Sequence, residues 1–196
     1  MKTVCKGTKA IQTAVTALAF CALFVPAAMA AGEAGHYYYD GGERRALLLD
    51  DTLLAEFGQT PNAVKTALPD ARAAKAKKGG VTIYRVPAFA VKTVLDAAPQ
   101  AAVSPVFREG GSPAGRLMAL PGGVLVNFKA DWSAEQVDAW AAAKELAIDK
   151  KLDIGQNWYV IKSPAGQAAL DLANMIQQSG EVVSATPNWW KEISTR

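Results

Sequence analysis

An α+β fold is predicted for this chain of 196 residues by three observations. The first is an alternation of two kinds of segment. VLVNF (124–128), WYVIK (158–162) and EVVSATPNWW (181–190) are rich in β-branched and aromatic residues, as half-buried strands are. SAEQVDAWAAAKE (133–145) and AGQAALDLANMIQQ (165–178) read instead as helices, and in the latter Ala169, Leu172, Ala173 and Ile176 fall at i, i+3, i+4 and i+7. The second observation is a helix start, Ser133 followed three residues later by Gln136, the spacing of a capping box. The third is the short turn GQN between AIDKKLDI and WYVIK, which predicts a hairpin. Pro187 ends the last strand. The order strand, helix, strand, strand, helix, strand is the split βαβ, or ferredoxin-like, pattern: a four-stranded antiparallel sheet with two helices on one face and the other face open.

Residues 1–30 read as a secretory signal. Lys2, Lys6 and Lys9 form a basic start, Ala10 to Phe24 an apolar run, and Ala28-Met29-Ala30 a small-x-small cleavage site, so the mature chain is expected to begin at Ala31. The apolar run is short of the roughly 20 residues that a membrane span needs, and no later segment is long and apolar enough. The expected location is therefore secreted or periplasmic, with no membrane association after cleavage. The signal takes three of the 21 basic residues and none of the 18 acidic ones, which leaves a formally neutral chain and gives no electrostatic reason for a nucleic-acid partner. It also takes both cysteines, Cys5 and Cys21, so an apolar core rather than disulfides must hold the fold.

Residues 31–112 are predicted to form an N-terminal α+β subdomain with a hairpin, and residues 113–196 the ferredoxin-like domain with its tail. In HYYYDGGERRALLLDDTLLAEF, Asp40-Gly41-Gly42 reads as a hairpin turn and Asp50-Asp51 as a second turn. Residues 62–78 are rich in Ala and Lys and read as a helix interrupted at Pro69. VTIYRVP, AFAVKTVLDAA and AAVSPVF follow as strand, helix and strand. The halves resemble each other: TIYRVP, a helix and Val103-Ser104 answer to YVIKSP, a helix and Val183-Ser184, while TLLAEF answers to VLVNF. This reads as a duplication whose first copy is degenerate, having lost its second strand. The glycine- and proline-rich stretch 110–123 is the expected seam.

A catalytic site is hard to assemble from these residues. His36 is the one histidine and lies near the mature N-terminus, where it reads as a surface residue, and the absence of mature cysteine excludes a thiol nucleophile or cysteine-zinc site. GGSPAG lacks the strand and helix context of a phosphate cradle. Asp50-Asp51 would point to opposite faces of a strand. No enzyme activity, metal or cofactor is expected. The apolar surplus points to binding instead. Trp158-Tyr159-Val160-Ile161 is apolar on both alternating faces, although one face of such a sheet should be wet. Trp189-Trp190, near the C-terminus, has the character of an interface anchor or of a cap folded back on the body.

YYYDGGERRALLL, VSPVF, GGVLVNFKADWSAEQVDAW, NWYVIKSP and ALDLANMIQQSGEVVSATPNWW together resemble the region that precedes the catalytic domain in subtilisin-like serine proteases of Gram-negative bacteria. The resemblance spans roughly residues 37–190. Prodomains of this family commonly close with an acidic residue, Pro, Asn and an aromatic. Here residues 186–189 read Thr-Pro-Asn-Trp, so Thr186 departs from the pattern. The resemblance implies a folding chaperone and inhibitor that docks its open sheet face on two surface helices of the protease and lays its C-terminal tail in the substrate cleft. It places partner binding at Trp158, Tyr159, Pro187, Asn188, Trp189, Trp190, Thr195 and Arg196. Only six residues follow Trp190, so the expectation is a free-standing external chaperone, a monomer or a 1:1 heterodimer with its protease. The alternatives are a non-catalytic envelope protein binding a glycan or another protein, and the remnant of a truncated precursor.

Overall fold

The computed structural model describes residues 35–58, 62–77, 80–99, 101–155 and 157–193. The signal-peptide reading of residues 1–30 lies outside them, as do Thr195 and Arg196. The described residues form an α+β structure with two antiparallel sheets and four helices. Its elements are β1 (Tyr37–Asp40), β2 (Glu43–Phe57), α1 (Ala63–Ala67), β3 (Arg72–Lys77), β4 (Val81–Arg85), α2 (Ala88–Ala97), β5 (Val103–Glu109), β6 (Leu117–Ala119), β7 (Val124–Asn127), α3 (Ala134–Ala143), β8 (Ile148–Lys151), β9 (Trp158–Ile161), α4 (Gln167–Gln178), β10 (Ser184–Pro187) and β11 (Trp190–Lys191). One sheet runs β11-β6-β5-β2-β4-β3 with β1 paired to β2; the other runs β10-β7-β9-β8.

Local chemistry explains much of this. The hairpin at Asp40-Gly41-Gly42 forms because both glycines adopt positive φ, 58° and 84°, as a tight two-residue turn between twisted strands requires. The capping box of α3 is present: the Ser133 hydroxyl accepts from the Gln136 N–H at 3.3 Å, and the Gln136 side chain accepts from the Ser133 N–H at 2.8 Å. Two expectations are corrected. Asp50-Asp51 is no turn, for β2 runs straight through it with a register slip against β5 between Asp50 and Leu54. The Asp50 carboxylate holds this bulge by accepting from the Thr52 N–H and hydroxyl, at 3.1 and 2.7 Å. Residues 62–78 are not one helix: only Ala63–Ala67 is helical, and after Pro69 the chain becomes β3, paired antiparallel with β4. Ala and Lys favour helix by a few tenths of a kcal/mol each, and a ladder of backbone hydrogen bonds outweighs that preference.

With β3 in place, the first copy has not lost its second strand. β2, α1, β3, β4, α2, β5 and β7, α3, β8, β9, α4, β10 follow the same order, and their strands pair as β5-β2-β4-β3 and β10-β7-β9-β8. Register fixes the correspondence. Leu54 stands across from Tyr84 and Pro105, and Val124 across from Ile161 and Pro187. Val103-Ser104-Pro105 thus matches Ala185-Thr186-Pro187, two residues beyond the correspondence expected from sequence.

α4 lies between the sheets and is apolar on two flanks. Ala173 and Ile176 join Val137 of α3 against Val124, Val126, Tyr159 and Ile161, with Phe128 stacked on Trp132 at 5.5 Å and edge-on to Trp140 at 5.0 Å. Ala169 and Leu170 pack instead against Tyr38, Leu47, Phe107 and Met118 of the first sheet and Leu120 just after β6. Each such large side chain, once buried, contributes about 1.5–3 kcal/mol relative to exposure. Val64 of α1 and Ala90, Val91 and Val94 of α2 cover Leu54, Tyr84 and Val103 at the other end of the same face. β6 and β11, both from residues 113–196, belong to the first sheet, so strand pairing crosses the expected seam.

Candidate interaction site

The register of the second sheet decides which way each of its apolar side chains points. Val126 faces Tyr159 across the ladder, and both belong to the helix-covered core, where Tyr159 is 5% exposed. Leu125 faces Val160 and Asn127 faces Trp158, so these four lie on the opposite face, to which β10 adds Ser184 and Thr186 and β8 adds Lys150. Trp158 and Leu125 are half-buried there. The face carries a cavity of about 820 Å³ with Leu125, Leu152 and Val160 on its floor and Asp149, Lys150 and Lys162 among its lining.

One wall of the cavity depends on a glycine. Gly122 has φ +104°, and a Cβ there would stand 2.7 Å from the Ser163 carbonyl oxygen, so only glycine lets the β6–β7 connection pass the β9–α4 connection. The side-chain amide of Asn188 donates to the Gly122 carbonyl at 3.1 Å, and its backbone N–H donates to that of Gly123 at 3.1 Å. The cavity is thus bounded partly by the segment that leaves β10.

The residues expected to bind a partner are therefore not gathered in one place. Trp158 is on the open face, and Asn188 lines the cavity at its rim. Tyr159 is in the core on the other side. Pro187 is a buried strand residue across from Val124. Trp189 packs edge-on against Tyr38 at 5.1 Å and Phe107 at 6.1 Å, and Trp190 pairs with Ala119. Both tryptophans are folded onto the body, so up to Lys191 the chain's end is part of a sheet. Leu125, Val160 and Lys162 lie on the strands 124–128 and 158–162 that the sequence reading took for the exposed sheet face, and Lys150 is the addition that it missed. The signal available for Leu125 was the alternation Val124, Val126, Phe128 against it, which assigns Leu125 to the second face once one face is given to the helices.

Elsewhere, His36 is half-buried: its ring packs edge-on against Phe107 at 5.4 Å and its carbonyl accepts from the Leu47 N–H. Among the described residues no group of His, Cys, Asp and Glu is arranged to hold a metal ion, and no helix is long and apolar enough to cross a membrane. In comparison with known proteins, the chain matches no family model, no curated protein and no solved structure.

Proposed function

We propose that this chain is a prodomain-like binding module for a subtilisin-like serine protease, exported to the periplasm or beyond, which assists folding of the protease and inhibits it. The observation that carries the reading is the helix-free face of the second sheet, which bears Trp158, Leu125 and Val160, the latter two lining a groove. The strand order β10-β7-β9-β8, with α3 and α4 on one side, supports taking this unit as ferredoxin-like. The pairing β5-β2-β4-β3 supports the same reading for the first copy. A sheet face that sets Trp158, Leu125 and Val160 among Asn127, Ser184, Thr186 and Lys150 accepts amphipathic helices on a partner's surface, Trp158 being the anchor of largest area.

The tail enters this proposal in a narrower form than the sequence suggested. Because Pro187 to Lys191 is held in the two sheets, only the residues after it are left to reach a substrate cleft, beginning with Ile193, which is 84% exposed. Thr195 and Arg196 remain the residues proposed for that cleft. The test is co-purification of a subtilisin-like protease from the envelope fraction, followed by binding of that protease, blocked at its active site, to wild-type chain and to Trp158→Asp. Loss of binding by a folded Trp158→Asp supports the proposal. Absence of any such protease, or equal binding by both forms, overturns it.

A further inference from the structure

The duplication places Asn157 where the first copy has a glycine. Since Leu54 answers to Val124 and Tyr84 to Ile161, Gly58 answers to Phe128 and Gly80 to Asn157. A hydrogen bond common to both copies agrees with this: the Gly58 N–H donates to the Gly80 carbonyl at 2.7 Å, and the Phe128 N–H to the Asn157 carbonyl at 2.9 Å. Both backbones are left-handed, with φ 73° at Gly80 and 53° at Asn157. Glycine takes that conformation freely, whereas a residue with a Cβ takes it at a cost that some other interaction must offset.

The side chain of Asn157 does what glycine cannot. It is 9% exposed, and its amide nitrogen donates to the Lys129 carbonyl at 2.7 Å and to the Trp132 carbonyl at 2.9 Å. The β7–α3 connection is thereby tied to the residue just before β9. Trp158 comes next in the chain, and a Cβ built on Gly155 would stand 3.9 Å from its Cδ1 and Nε1, so the indole lies along the Gly155 backbone. Asn157 is the bend between that backbone and the ring resting on it. In the first copy the place of Trp158 is taken by Val81, which is buried, and there the bend is a plain glycine. The clamp accompanies the half-buried indole.

We propose that Asn157 is a positioning residue for docking, which fixes Trp158 on the helix-free face before a partner arrives. This rests on the reading of that face as the surface that meets a protease. An anchor already held in place loses less side-chain entropy on binding, so the clamp acts on affinity beyond what it adds to folding. Glycine at this position keeps the left-handed conformation accessible but no longer enforces it, because glycine occupies positive and negative φ about equally.

The experiment uses the full chain labelled with fluorotryptophan, the Trp158 resonance being assigned by its loss in Trp158→Phe. Two quantities are measured on wild type, Asn157→Gly, Asn157→Asp and Gln177→Ala. One is the shift of the Trp158 fluorine line between light and heavy water, which reports exposure of the ring; the other is affinity for the active-site-blocked protease. Asn157→Asp keeps a residue that tolerates the left-handed region and lacks the amide donor. Gln177→Ala is the control, since it removes a hydrogen bond to the Ala185 N–H, on the β10 edge of the same sheet. The expected result is a solvent shift that rises toward that of a free indole in both Asn157 variants, with at least a tenfold loss of affinity. Gln177→Ala should leave the solvent shift in place and change affinity less than twofold. An unchanged solvent shift in either folded Asn157 variant, an equal rise in Gln177→Ala, or full affinity in a variant whose Trp158 has become exposed overturns the proposal. Wild-type chain that binds no such protease overturns the docking reading and with it the role in docking, while the solvent shift shows separately whether Asn157 holds the ring.

Discussion

The rings of Phe107 and Trp189 meet edge to face at 6.1 Å and 87°, and they are the same position of the two copies. Each lies two residues beyond a proline, Pro105 across from Leu54 and Pro187 across from Val124. The duplicated halves therefore touch through equivalent side chains, with Tyr38 completing the aromatic cluster against Trp189. Trp189 is thus partly buried against the core rather than a free anchor. Trp189→Ala should cost about 3 kcal/mol of stability in urea unfolding, in the range of large-to-small core changes. Trp189→Phe should cost less, because the buried Trp189 Nε1 has no hydrogen-bond acceptor and its removal leaves nothing further unsatisfied. An Ala variant with wild-type stability would return Trp189 to the role of an exposed anchor.

Adjacent residues of β9 should respond in opposite ways to one substitution. Tyr159→Asp places a carboxylate among Phe128, Val126 and Ile176, where burial without a partner costs several kcal/mol, and it should abolish the cooperative transition. Trp158→Asp places it on the open face and should leave the thermal midpoint within a few degrees of wild type. Circular dichroism melts of the two proteins measure this. A folded Tyr159→Asp protein would mean that the register of β9 is reversed.

The second copy was legible in the sequence because each element carries its own local signal: the Ser133–Gln136 box, the apolar stripe of α4, the turn before Trp158. Other parts were not, for identifiable reasons. Residues 72–77 consist of Ala, Lys and Arg, whose local preference is helical, and only the pairing with β4 makes them a strand. β6 and β11 are too short to show a period. In residues 158–161 both alternating sets are apolar, so no pattern along that strand alone separates the helix-free face from the core; the partners Val126 and Asn127 on β7 do. Asp50-Asp51 has turn chemistry, but the Asp50 side chain spends it on a bulge. The aromatic contact at Trp189 needs the duplication to be seen in register, which two residues of drift in the sequence correspondence obscured.

Capping gives a smaller, quantitative expectation. Ser133→Ala removes the acceptor for the Gln136 N–H and should cost about 1 kcal/mol, whereas Ser133→Asp, which keeps an acceptor at the helix start, should cost less. Urea midpoints of the three proteins decide it. Equal midpoints would show that α3 is held by packing alone.

Gly122 tests whether the shape of the groove matters for binding. A methyl group at this position both meets the Ser163 carbonyl and forces alanine to φ +104°, so Gly122→Ala must displace one wall of the groove. The expected result is a loss of at least tenfold in affinity for the active-site-blocked protease, with a smaller loss from Gly42→Ala, where a Cβ meets nothing and only the strain of positive φ remains. Stability measured alongside separates the two effects. Gly42→Ala weakening binding as much as Gly122→Ala would show that affinity follows stability and not groove shape.

The last expectation concerns acid. Burial pushes the Asp50 carboxyl upward, but hydrogen bonds from the Thr52 hydroxyl, the Arg108 guanidinium and the Thr52 N–H outweigh it, so its pKa lies below the ordinary 3.8. Glu109 behaves alike: burial raises it, and its contacts with Arg116 and Lys191 bring it below the ordinary 4.5. A carboxyl whose folded pKa is depressed binds its proton more readily in the unfolded chain, so unfolding gains protons on acidification. The stability contributed by these two groups is therefore complete above about pH 5 and is lost as the pH falls through their folded values. Asp50→Asn cannot titrate and keeps an acceptor for Thr52, yet it loses the charge on Arg108. At pH 7 it should be less stable than wild type by about 1–3 kcal/mol, the worth of hydrogen bonds to a charged group. That gap should close as the pH falls below the ordinary 3.8 and wild-type Asp50 takes up its proton. Urea unfolding of both proteins across pH 2–7 provides the measurement, and a gap that stays constant through the acid range would show that the Asp50–Arg108 contact adds no pH-dependent stability.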